Sequence, residues 1–452
     1  MSAWNADNAR HLLARCLFGY TRADLAKALS YNSADAFVSA ELLASLPQPA
    51  PPNPWVTETP VANDSNTGIR YAELTTWWLN RMLTEGTSMR EKMVLFWHNH
   101  FVSDRAKVNY PQHMFKQNAL FRQHAFGDFR QFVKDVTIDP AMLIYLDGRQ
   151  NNKNAPNENY ARELLELFTL GIGNYTETDI KQAAMALTGW RVNGLDVAFN
   201  KANFADVSKT FLGKTGNFSY TDIVDIIFTK DAAAEFVCRK LYKEFIFYKP
   251  NEAFVKQMAD VFRKANYNIG AALRFMLTAD EFYKPEYRGA KIKNPVELTV
   301  GSLKYLDIRR PDLAYIADVS RTLQQYIFYP PNVAGWPGQR DWISSNTYPA
   351  RGGFSDSLVN GRRANGQNLS FKVVPLDYAR SYKSSEDAQQ FVSDVMQQML
   401  TISPAASQQK LLLDTLLDGT IAANWSTNTP MADVRIQKFL KALMRLPEYQ
   451  LT

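Results

Sequence analysis

Apolar and polar positions follow a helical spacing along almost the whole chain. Residues 7–45 carry the pattern of two or three short amphipathic helices, and it resumes in "IRYAELTTWWLNRMLTEG". "SMREKMVLFWHNHF" opens with Ser88 and Glu91 at the S-x-x-E spacing of a capping box. It continues as a run apolar on every side, which predicts a buried central helix. "DPAMLIYL" predicts a helix with Asp139 as N-cap and Pro140 at the first position, and "NENYARELLELFTLG" predicts one stopped by Gly171. Two further starts are marked by Thr176 with Asp179 three residues on, and by Asn294 followed by Pro295 and Glu297.

The pattern breaks in three places. Six of the 21 prolines crowd into residues 47–60, so the stretch 47–68 is expected as a Pro-rich surface excursion. "WRVNGLDVAFNKANF" alternates around Asn193 and Gly194, which predicts a β-hairpin insertion near 190–213. Residues 329–353 read as an irregular aromatic loop, and three more helices are expected in the last hundred residues. No fixed-period repeat is visible, which argues against a solenoid. The expected fold is mainly α: one large multi-helical domain over 1–452 with a small β-hairpin.

Composition adds exclusions. With 46% hydrophobic and 21% charged residues, the chain is ordinary globular material. Its net charge of +6 is spread without a run of five or six basic residues, against the concentrated stripe of a dedicated nucleic-acid binder. The longest apolar runs, "MVLFW" and "MLIYL", are too short to cross a bilayer, so no transmembrane segment is expected. Arg10, His11 and Arg15 interrupt the first twenty residues, and no secretory signal is expected in the chain as it stands. Cys16 and Cys238, each among apolar neighbours, read as buried free thiols. P-loop, Rossmann, G-x-S-x-G and H-E-x-x-H patterns are absent.

Four stretches carry candidate chemistry. His98 and His100 stand two apart, and two such positions on an unbroken helix point roughly 200° apart. Either the helix ends near Trp97 and both imidazoles reach one ion, or the two do different jobs as hydrogen-bonded residues of a buried terminus. In "ENYARELLEL" a wide apolar arc leaves Asn159, Arg162, Glu163 and Glu166 in the remaining sector. The plain reading is a solvated face with Arg162 and Glu166 paired; the functional one is an internal stripe able to ligate a metal or move a proton. Asp147 and Glu158 have the end spacing of a calcium loop, but Arg149 and Asn152 occupy positions that need an oxygen ligand and glycine, so calcium is disfavoured. The loop 329–353 holds Tyr329, Trp336, Trp342 and Tyr348, with Asn332 and Arg351 as polar groups, and suits a stacking wall for a sugar or other flat ligand, or a buried anchor.

The segments "KMVLFWHNHFVS", "PNENYARELLELFTLGIGNYTE", "ALTGW", "KTFLGKTGNF", "KNPVEL" and "PPNVAGWPG" occur in an order that resembles the bacterial family called domain of unknown function 1800, from "HLLARCLFGYTR" to "LPEYQL". The resemblance implies signature positions at His98, His100, Asn159, Arg162, Glu163 and Glu166. It further implies a periplasmic or otherwise exported protein, and a partner similar to sulfatases and alkaline phosphatases. Relatives often carry a His-Asp pair before the lysine of "KTFLG"; here "FADVSK" keeps Asp206 without a histidine.

Two functions therefore compete. One is a metal-dependent enzyme with His98, His100 and Glu163 as ligands to zinc, iron or manganese, and Glu166 and Arg162 as catalytic groups. Asn159, Asn332, Trp336, Trp342 and Arg351 would bind its substrate. The other is a non-catalytic helical binding or scaffold protein that uses the aromatic loop beside the sulfatase- or phosphatase-like partner.

Overall fold

The computed structural model describes residues 3–363 and 365–452. Among them, 22 α-helices carry the architecture, and the paired strands form two antiparallel two-stranded sheets. The mainly α expectation is met.

Two helices lacking a polar face form the centre. In Arg90–His100 all residues are buried except Phe96 and Asn99, which are half-buried. In Pro295–Tyr305 every residue is buried. Charges in such helices need internal partners, because an uncompensated buried ion is strongly destabilising. Glu91 meets that need by accepting from Trp78 Nε1 at 2.8 Å and from Arg122 Nε and Nη2 at 2.6 and 2.8 Å. This explains a departure from the sequence: Glu91 does not close a capping box with Ser88. Met89 is the N-cap, and Ser88 Oγ accepts from the Arg90 amide at 3.2 Å. The Thr176–Asp179 and Asn294–Glu297 boxes do form, and Asp139 accepts from the Met142 amide at 2.9 Å.

The "NENYARELLELFTLG" segment is α-helical over Asn159–Glu163 and then widens into a π-helical turn over Leu164–Thr169. It closes at Gly171, whose φ of +80° is the left-handed conformation glycine adopts without strain. The last carbonyls of a helix lack intrahelical donors. Here those of Leu167 and Phe168 are taken up by side chains from other elements, described below.

The expected hairpin pairs Trp190–Asn193 with Asp196–Phe199. A second one, missed in the sequence, pairs Lys209–Phe211 with Lys214–Gly216 and carries the β-structure past 213. Its strands are three residues long, too short to show an alternating pattern. The stretch 47–60 contains no α-helix and is mostly exposed, but Trp55 is buried and donates to Glu73 at 2.6 Å. The irregular aromatic segment ends at 346 rather than 353, because helix Thr347–Asn360 begins there. Four helices follow it, where three were expected: Pro375–Arg380, Ala388–Met399, Ala406–Leu417 and Ala432–Met444. Both cysteines are free and buried, and no described helix is long and apolar enough to cross a membrane.

Candidate functional site

The central helix turns Lys92, Leu95, Phe96, Asn99 and His100 onto one side, at the spacing that stacks residues along a helix face. They line a pocket of about 400 Å³. Opposite, helix Asp231–Phe245 buries Ala234, Val237, Cys238, Leu241 and Phe245 on its inner face. Its Lys240, Lys243 and Glu244 reach the pocket, and Lys291 enters from the segment before the second buried helix. Trp336 and Trp342 of the aromatic segment complete the wall, both nearly buried at 6% exposure.

Asn99 fixes that wall. Its Oδ1 accepts from the Trp336 amide at 2.7 Å and its Nδ2 donates to the Trp336 carbonyl at 3.4 Å. Gly335 makes the approach possible: its φ is +84°, and a Cβ there would collide with the Asn99 amide.

The pocket is electropositive. Lys92 and Lys291 both pair with the buried Glu297, Lys291 at 3.4 Å, and Lys291 also pairs with Glu244 at 2.5 Å. Burial alone would raise the Glu297 carboxyl, but Lys291 and Lys92 outweigh it and hold it below the ordinary carboxylate range. Burial pulls Lys92 down, with Glu297 opposing. For Lys291 the same burial is overcome by Glu244 and Glu297, so its pKa is raised. Lys243 is exposed and makes no salt bridge among the described residues.

Lys240 is bound differently. Its Nζ lies 3.0 Å from His100 Nδ1 and donates to the Leu167 carbonyl at 2.9 Å. Desolvation, then the neighbouring Lys243, brings its pKa down to about 7. His100 completes the link by placing Nε2 3.0 Å from the Phe168 carbonyl, which requires the hydrogen on that nitrogen. The imidazole is neutral, held well below the usual histidine range by burial and by Lys240.

The two histidines thus do different jobs, because the helix runs unbroken through His100. On the other side of the helix His98 Nε2 accepts from the Phe328 amide at 3.2 Å, and its ring packs edge-on to Trp78 with centroids 5.5 Å apart. Burial pushes it down to about 3. Arg162 and Glu166 of the acidic stripe have other partners. Arg162 makes a two-pronged contact with Glu177 at 2.8 Å for each arm, and Tyr175 donates to Glu166 at 3.0 Å. Glu163 is half-buried, raised by desolvation and by Glu166. Among the described residues no group of three or more His, Cys, Asp or Glu is placed to hold a metal ion, so His98, His100 and Glu163 are not brought together as a ligand set.

Of the proposed binding residues, only Trp336 and Trp342 line the pocket. Asn159 is exposed at the start of its helix. Asn332 is exposed too, and accepts from the Ala334 amide at 2.9 Å within its own turn. Arg351 is buried and donates to the Lys293 carbonyl at 2.9 Å. At the rejected calcium loop, Asp147 pairs with Lys107 at 2.8 Å. Sequence reasoning missed all four pocket lysines and Asn99. The available signal was Lys92 and Asn99 aligned with Leu95 and Phe96 on one face of an otherwise apolar helix.

The family model described as "Protein of unknown function (DUF1800)" matches residues 11–451, and the chain belongs to that family. No curated protein and no solved structure matches the chain.

Proposed function

We propose that this member of the DUF1800 family binds a small anionic ligand in the lysine-lined pocket, with a flat or sugar-like group against Trp336 and Trp342. The observation that carries the reading is charge converging on a cavity. Lys92, Lys243 and Lys291 carry charge to one space of about 400 Å³ that Lys240 also lines, against Glu244 in its lining and Glu297 behind it. That volume lies in the range of metabolite sites, and partial enclosure strengthens each charge beyond its value in water. Lysine suits phosphate or sulfate as a point charge, and the indoles supply an apolar face. This is the binding-protein reading with its aromatic wall. The metal-enzyme reading lacks an assembled ligand set among the described residues.

A sulfate or phosphate ester is the ligand class the charge selects. It is also what an exported protein would meet beside a sulfatase- or phosphatase-like partner, so that pairing is retained as part of the proposal. The test is a thermal-unfolding screen with inorganic phosphate, inorganic sulfate, a sugar phosphate and the matching neutral sugar. Binding to the folded state raises the midpoint with ligand concentration. The sugar phosphate is expected to act at the lowest concentration and the neutral sugar not at all. Equal shifts from charged and neutral sugars would overturn the reading.

A further inference from the structure

Lys240 stands apart from the other pocket lysines. Lys92 and Lys291 are neutralised by carboxylates, and Lys243 is exposed. Lys240 is half-buried and has no salt bridge among the described residues; its Nζ instead meets two neutral acceptors, His100 Nδ1 and the Leu167 carbonyl. His100 offers only a lone pair at Nδ1, because its hydrogen sits on Nε2 toward the Phe168 carbonyl. Burial brings the Lys240 pKa down to about 7, and in its neutral form the amine has two N–H bonds to donate, which these two acceptors take. The nitrogen's lone pair is then left without a protein partner on a side chain that lines the pocket. An unpaired amine in a desolvated, cationic site is the arrangement that makes lysine a nucleophile.

We propose that Lys240 condenses with the carbonyl group of a small aldehyde or 2-oxo acid drawn into the pocket by its negative charge, an inference that rests on the anion-binding reading above. The Nζ lone pair attacks the carbonyl carbon, forming a C–N bond as the C=O π bond breaks. The nitrogen sheds one proton to His100 Nδ1, which returns it to the new oxygen and gives a carbinolamine. The C–O bond then breaks, the oxygen leaves as water after taking a second proton, and the nitrogen loses its remaining hydrogen as the C=N bond forms. One water is released, and nothing is oxidised or reduced. The Phe168 carbonyl acts through His100 by fixing its tautomer, and the end of the π-helical turn thereby positions the amine.

The test uses the full chain with glyoxylate, an aldehyde bearing a carboxylate, and cyanoborohydride to reduce any imine to a stable amine. Intact mass and peptide mapping are expected to give one carboxymethyl group per chain, on Lys240, formed at least about tenfold faster than on any other lysine. Excess phosphate should slow it. Lys240→Arg should lose the tag, but mapping of the unaltered chain decides the matter even if that variant fails to fold. Tagging spread evenly over exposed lysines, or no tagging, overturns the inference and leaves Lys240 as a cap on the Leu164–Thr169 turn. A phosphate titration of the same sample separates the two claims. Saturable phosphate binding without a tag sinks the nucleophile alone, whereas a selective tag without phosphate binding supports the nucleophile and sinks the anion reading.

Discussion

The stripe Arg162, Glu163 and Glu166 and the cluster Lys92, Lys240, Lys243 and Lys291 both gather charged side chains, yet only the second lines a cavity. In the stripe, Arg162 turns out to Glu177 and Glu166 receives the Tyr175 hydroxyl, so two of its three charges are met by partners at or near the surface. In the cluster, positive charge faces a cavity and exceeds the carboxylates that could cancel it. Charge balanced within a protein is explained by folding. Charge left in excess inside a cavity asks for a ligand, and that difference separates an ordinary polar helix face from a candidate site.

The largest expected effect comes from removing the acid behind the cluster. Glu297→Ala leaves Lys92 and Lys291 buried with reduced compensation, and breaking a buried pair on one side costs about 3–5 kcal/mol. Denaturant unfolding should show that loss, and a change below about 1 kcal/mol would mean that the lysines are better solvated than their burial implies.

Gly335→Ala should come next. A side chain there adopts a left-handed conformation and meets the Asn99 amide, so a cost of about 1–3 kcal/mol is expected together with detachment of the tryptophan wall. Tryptophan emission should shift toward that of exposed indoles. An unchanged spectrum and an unchanged midpoint would show that the wall does not depend on this contact.

A smaller effect is a dependence of stability on pH. Burial depresses Lys240 and Lys293 to about 7 and Lys304 to about 8, whereas unfolded lysines titrate near 10.5. Between the two values the unfolded chain holds protons that the folded chain has released. Stability contributed by these groups therefore rises with pH from about 7 upward, and is flat below that. Lys240→Met should reduce the slope between about pH 7 and 9 by up to one proton. The same slope in both proteins would place the Lys240 pKa near its ordinary value.

How much of this was legible in the sequence follows from the range of the interactions. The Thr176 and Asn294 starts and the Asn193–Gly194 hairpin depend on neighbours in sequence, and they stand where the pattern put them. The Ser88–Glu91 box failed because Arg122 and Trp78, distant in sequence, outcompeted a local backbone amide for the same carboxylate. His98 and His100 are a pair in sequence, but one helix carries them to different neighbourhoods. The pocket lysines come from three separate segments. In "DAAAEFVCRKLYKEF" Lys240 and Lys243 look like any solvated face, and only the packing of that helix against the π-helical turn makes Lys240 otherwise.

The central claim is that the cluster, and not the acidic stripe, is where a ligand binds. The most direct measurement is calorimetric titration of inorganic phosphate into the unaltered chain, Lys243→Ala and Arg162→Ala. Each variant removes one exposed or half-exposed positive charge, so the change in net charge is matched. One saturable site is predicted, weakened about tenfold, or about 1.4 kcal/mol, by Lys243→Ala and untouched by Arg162→Ala. Equal weakening by both would reduce the effect to overall charge, and the absence of a saturable site would contradict the account.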